Sequence, residues 1–197
     1  MNTIEYNREL IEKYPFLLPR NRWTGRPSDD FDYSYIELDA MPEGWRIAFG
    51  EQLCEELKQE LIRAESERTD SPEERRRLVQ WYQVDPPPDY PDDLLHIWQI
   101  IQIKEKYGTL RLYSSFSTPG MGDIIRKYTD LSERTCIRCG KPATKISLGW
   151  ISPWCDDCAS HSSLGSERFM DINEYLEMDD SDLYGISKEE QDAVVVS

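Results

Sequence analysis

The chain predicts an α+β fold with a helical N-terminal part, a β-hairpin followed by a helix, and a small four-cysteine module of treble-clef or zinc-ribbon type. Three observations carry that expectation. Apolar residues recur at helical spacing in the first half, the period becomes extended after a proline-rich run at 85–91, and Cys136, Cys139, Cys155 and Cys158 form two Cys-x-x-Cys pairs. The same features divide the 197 residues into 1–90, helical with an aromatic loop; 91–135, hairpin and helix; 136–165, the four-cysteine zinc module; and 166–197, an acidic C-terminal tail.

Asn2 and Glu5 stand at capping-box spacing ahead of Ile4, Leu10, Ile11 and Tyr14, and Pro15 and Pro19 end that helix. Residues 20–45 mix Trp23, Phe31, Tyr33, Tyr35 and Trp45 with turn formers, which predicts a loop that packs onto something. A helix from about residue 46 to 67 follows, with Ile47, Leu53, Cys54, Leu57, Leu61 and Ile62 on its apolar side, so Cys54 reads as a core residue. Ser71-Pro72-Glu73-Glu74 is a second helix start, with serine as cap and proline in the first turn, and that helix runs to Tyr82. Asp85-Pro86-Pro87-Pro88-Asp89-Tyr90-Pro91 cannot continue it and marks the internal boundary, with little to single it out as a recognition ligand for another domain. Beyond it Ile97, Ile101 and Ile103 alternate, Tyr107-Gly108 makes a turn, and Leu110, Leu112 and Tyr113 resume the extended pattern. Ile124, Ile125, Tyr128 and Leu131 then predict a helix that leads almost directly into Cys136.

The cysteine pattern is the strongest chemical statement in the chain. Each pair can place two thiolates on one ion, and the fifteen-residue spacer suffices for a hairpin that returns the second pair to the first. Gly140 suits the strained backbone that closes such a turn, and Pro142 and Gly149 bracket a strand-like run, Thr144 to Leu148. Two disulfides are the competing reading, but the N-terminus has no apolar signal-peptide core, which points to a cytoplasmic chain. A thioredoxin-like pair needs a βαβ setting that the pattern lacks. Four thiolates close the shell of a tetrahedral Zn2+, so the ion is expected to be structural and to contribute on the order of 10 kcal/mol. A zinc deaminase is disfavoured: Pro153-Trp154-Cys155 has one residue too many for Pro-Cys-x-x-Cys, and His96-Ile97-Trp98 lacks the glutamate of His-x-Glu. His161, just past Cys158, is a surplus donor. No phosphate loop, nucleophile with a histidine partner, or carboxylate pair stands out, so no catalytic residue is named and the chain is expected not to be an enzyme.

The net charge of −15 argues against phosphate-backbone binding by the whole molecule and favours a protein partner with a basic surface. No apolar run is long enough to span a membrane. Ten carboxylates against two cations between residues 167 and 192 make the tail acidic, with Asp179, Asp180 and Asp182 as candidate partner-binding residues beside a merely solubilising role. Arg126, Lys127, Arg134, Arg138, Lys141 and Lys145, with Trp150 or Trp154 for stacking, outline the alternative of a nucleic-acid-binding zinc ribbon, provided the cations share one face.

The run Ile101-Gln102-Ile103-Lys104-Glu105-Lys106-Tyr107-Gly108-Thr109-Leu110-Arg111-Leu112-Tyr113, then a helix, then Thr135-Cys136-Ile137-Arg138-Cys139-Gly140, Gly149-Trp150 and Cys155-Asp156-Asp157-Cys158, resembles a group of small proteins of bacterial phages and mobile elements. The resemblance covers residues 95–160 and implies the four cysteines as metal ligands, a bacterial or phage-infected cell, and no established activity. Taken with the charge, it points to an acidic inhibitor or adaptor of a nucleic-acid-handling protein, of which an anti-CRISPR inhibitor is one concrete form.

Overall fold

Local signals at the N-terminus are realised closely. In the computed structural model, which describes residues 2–21, 26–27, 30–71, 73–74, 77 and 91–178, helix α1 (Thr3–Lys13) opens on the Asn2–Glu5 capping box and ends at Tyr14 before a 3-10 turn, Pro15–Leu17. Leu10, Ile11 and Tyr14 are buried, whereas Ile4 faces out. The loop then leads through a 3-10 turn, Glu37–Ala40, into α2 (Glu43–Trp45), a π-helical turn (Arg46–Gly50) and α3 (Glu51–Ser66).

The π turn corrects the expected apolar face. Its wider winding turns Ile47, which lies within it, out to solvent, while Phe49, Leu53, Cys54, Leu57 and Leu61 are buried; Ile62 is exposed because regular helical spacing places it well off the line of Leu53, Leu57 and Leu61. Past α3, Ser71 and Glu74 exchange the anticipated capping bonds, Glu74 Oε2 accepting the Ser71 N–H at 2.8 Å and Ser71 Oγ accepting that of Glu74 at 3.3 Å. The continuation of that helix to Tyr82, most of the proline run, and Asp179, Asp180 and Asp182 lie outside the described residues.

Leu94–Ile97 forms a short helix, α4, capped by Asp93, so Ile97 belongs to a helix and not to the expected strand. The hairpin is β1 (Ile100–Lys106) against β2 (Thr109–Ser114), with Lys106 paired to Thr109 and an irregularity between Ile100 and Gln102. That bulge shifts the inward set to Ile100, Ile103, Leu110 and Leu112, leaving Ile101 half-buried. Tyr107 and Gly108 have φ of 54° and 76°, as a two-residue turn matching the strand twist requires, and Glu105 Oε1 accepts the Gly108 N–H at 2.7 Å. Helix α5 (Met121–Glu133) covers the hairpin with Met121, Tyr128 and Ser132, and Ser132 Oγ accepts the Leu110 N–H at 2.8 Å. A single cluster of buried side chains joins α1, α3, the hairpin and α5, from Leu10 to Tyr128.

The finger follows. Strand β3 (Lys145–Ser147), inside the run bracketed by Pro142 and Gly149, pairs with β4 (Ser152–Trp154) on one edge and β5 (Phe169–Asp171) on the other, all antiparallel. Helix α6 (Asp156–Ser160) lies between β4 and β5, and α7 (Ile172–Glu177) follows with Ile172 buried. Residues 169–171, read from sequence within an acidic tail, are thus a strand of the sheet that follows the cysteine knuckle, flanked by the 3-10 turn Ser166–Arg168 and α7. Among the described residues, no helix is long and apolar enough to cross a membrane.

Candidate metal centre

Two different devices bring the cysteines together. The first is a tight knuckle: Thr135 bridges to Pro142, the Cys136 N–H donates to the Lys141 carbonyl at 2.8 Å, and the Gly140 N–H donates to the Cys136 carbonyl at 3.0 Å. Gly140 holds φ at 76°, a left-handed conformation that a side chain would strain. The second is a helix start: Cys155 is the N-cap of α6, its Sγ accepting the Cys158 N–H at 3.4 Å, and Cys158 sits one turn in. The β3–β4 hairpin returns the chain between them, and the Ile137 N–H donates to the Pro153 carbonyl at 2.9 Å to join knuckle and hairpin.

All four sulfur atoms lie within 4.8 Å of one another, and Cys139 Sγ is 3.6 Å from Cys155 Sγ. None is in a disulfide. A tetrahedron of thiolates at about 2.3 Å from one ion has edges of about 3.8 Å, so the set fits a single metal ion. Cys136 and Cys155 are buried and the other two half-buried, which limits access of water to the centre. The Lys141 backbone N–H pulls the Cys139 thiol down to about 7, while burial raises Cys155 and Cys158.

No family model matches the chain, and no curated protein or solved structure matches it. The centre therefore rests on its own geometry.

The other residues singled out from sequence are elsewhere. His161 is exposed, its Nδ1 2.8 Å from the Asp157 carbonyl oxygen, and His96 pairs with Asp93. Cys54 is fully buried among apolar side chains, its thiol pushed up to about 12 by that burial. Of the six cations, Arg126 is held by Asp123 at 2.8 Å and Lys127 by Glu56 at 2.6 Å. Trp154 packs edge-on against Phe169, with ring centroids 5.7 Å apart, and donates its Nε1–H to Ser152 Oγ, whereas Trp150 is exposed.

Sequence reasoning did not anticipate the seat of the knuckle. Gly44 lies so close that a Cβ there would stand 2.2 Å from the Cys136 carbonyl oxygen and 2.8 Å from the Gly140 nitrogen. Its N–H donates to the Ile137 carbonyl at 2.9 Å, and the buried Trp45 donates its Nε1–H to the Thr135 carbonyl at 2.8 Å. The only sequence signal was a glycine directly before a tryptophan at a helix start.

Proposed function

We propose that the four thiolates hold one structural Zn2+ in a treble-clef module, and that the chain is a non-enzymatic interaction protein directed at a partner with a basic, nucleic-acid-handling surface. The observation that carries the first half is the sulfur cage. Four thiolates spaced for one tetrahedral ion leave no position for water, and an all-sulfur donor set suits zinc. A knuckle, a hairpin and a helix whose first turn bears the second pair support a treble clef over a ribbon built from two knuckles. The second half rests on the charge of −15, which steers the molecule toward cationic surfaces. An inhibitor of the anti-CRISPR kind is the form that the resemblance to phage proteins suggests.

Elemental analysis of purified protein is expected to find one zinc per chain, and a different metal would overturn the assignment. For the partner, bait protein is incubated with nuclease-treated bacterial lysate. A stoichiometric basic protein, released by salt and held less well by bait ending at Met178, is the expected result. Nucleic acid as the retained species, or loss of every partner with nuclease, would establish the nucleic-acid-binding alternative, which exposed Trp150 favours and the Arg126–Asp123 and Lys127–Glu56 pairs oppose.

A further inference from the structure

The β1–β2 hairpin buries one face and leaves the other open to solvent. Strand alternation sets Gln102, Lys104 and Lys106 of β1 against Tyr113, Arg111 and Thr109 of β2, on the side opposite buried Ile103, Leu110 and Leu112. Three of these six side chains are cations and none is a carboxylate, in a chain with 38 acidic residues against 23 basic ones. Among the described residues Lys104, Lys106 and Arg111 form no ion pair, whereas Lys13, Arg46, Arg63, Arg68 and Lys127 all do. The neighbouring carboxylates do not neutralise them. Glu105 accepts the Gly108 N–H at 2.7 Å, Glu37 accepts the Ile103 N–H at 3.4 Å along the strand edge, and Glu133 at the end of α5 feels the charge of Arg111 without pairing with it.

Exposed rings accompany these cations. Lys104 Nζ lies 5.1 Å from the Tyr113 ring centroid and Lys106 Nζ 5.2 Å from that of Tyr107. At the tip Tyr107 and Trp150, 71% and 77% exposed, frame a cleft of about 240 Å³ together with Gly149 and Ile151. The two turns that carry them are held side by side, since a Cβ on Gly108 would stand 3.3 Å from Ile151 Cγ2. The pairs of ring and cation recur two residues apart along β1, a step of about 7 Å. Cations alone would suit any polyanion, but ring faces left open beside them select one that brings flat aromatic groups of its own. An acidic peptide would engage the lysines and leave Tyr107, Tyr113 and Trp150 in water.

We propose that the open face of the β1–β2 hairpin, with the Tyr107–Trp150 cleft at its tip, binds a short stretch of single-stranded nucleic acid. Bases stack on Trp150, Tyr107 and Tyr113, and phosphates meet Lys104, Lys106 and Arg111. A duplex keeps its base faces inside its own stack, so only an unpaired strand can use both halves of the site. The net charge of −15 opposes a long strand tracked over the surface and confines the footprint to the few nucleotides that the hairpin spans. This face is separate from the acidic surface proposed to hold a basic protein, and none of the six cations singled out from sequence belongs to it.

The test titrates the full-length protein into a fluorescein-labelled oligothymidylate of about twelve nucleotides and follows anisotropy over a salt series. Three neutralised phosphates predict a slope of about −2 for the logarithm of the association constant against that of the salt concentration. Trp150→Ala is expected to weaken binding about ten-fold or more, Trp150→Phe to restore most of it, and the double change Lys104→Glu, Arg111→Glu to abolish it. The double change Arg138→Glu, Lys141→Glu on the knuckle should leave it within about three-fold of wild type. Circular dichroism confirms that each of these surface variants is folded. A duplex of the same length is expected to bind about ten-fold more weakly or worse, and polyglutamate is expected not to compete. Absence of binding at low salt, equal affinity for the duplex, or indifference to Trp150→Ala overturns the proposal. Displacement by polyglutamate also overturns it and would assign the face to an acidic protein segment, and loss of binding in the knuckle variant would overturn it by moving the site to the finger.

Discussion

Three side chains concentrate the consequences of this fold. Cys139→Ser removes one of the four thiols and leaves three sulfurs, so the variant is expected to lose its metal and the packing of residues 136–158. A native-like variant retaining one ion per chain would refute that ligand assignment. Gly44→Ala drives a methyl group into the backbone of the knuckle, where no flexible side chain can yield. A loss of about 3 kcal/mol is expected, with weaker metal retention against a chelator. Glu60 is a buried carboxylate in α3 that accepts from Arg63 at 2.8 Å, from the Thr118 hydroxyl at 2.6 Å and from the Gly120 N–H at 2.9 Å, chiefly the Arg63 bond holding it down at about 2 against an ordinary 4.5. Because its folded value is depressed, its contribution is complete above about pH 4.5 and fades as the pH falls toward 2. Thermal melts of Glu60→Gln across that window should show a shallower acid loss than wild type; an identical slope would show that other groups govern it.

At the scale of elements, what was legible had a local cause. The Asn2–Glu5 box, the stop at Pro15 and the Tyr107–Gly108 turn each depend on a few adjacent residues, and all three stand as the sequence implied. The two cysteine pairs were legible because ligand spacing is itself a geometric constraint. The misplacements arose where helical or strand periodicity is interrupted without a marker. The π turn at Arg46–Gly50 turns Ile47 away from the apolar stripe, and the bulge near Ile101 transfers an inward position to Ile100. Strand β5 is three residues long in an acidic surrounding, so its identity depends on β3 beside it and not on its own composition. Replacing Gly108 by Ala is expected to cost about 1–2 kcal/mol, through its left-handed backbone and the nearness of Ile151, without loss of metal. Metal loss in that variant would mean that the hairpin tip supports the centre directly.

For the whole molecule, the decisive arrangement is that the finger is not a pendant. Chelation should therefore change the environment of Trp45, some distance along the chain from any of the four ligands, which the near-ultraviolet dichroism difference between wild type and Trp45→Phe, with and without chelator, reports. An unchanged Trp45 signal after complete metal removal would show that the knuckle keeps its shape without an ion. The Gly44 and Trp45 contacts also bear on how the protein is made. Thr135 leaves the ribosome 90 residues after Trp45, so the buried Trp45 indole lacks this acceptor until most of the chain has been translated. Its indole meanwhile rests on an incomplete core, where proteases and holding chaperones compete for it. If the four cysteines hold a metal as proposed, its absence would prolong that exposure past the end of synthesis, which makes metal supply a control on how much of this protein survives to act.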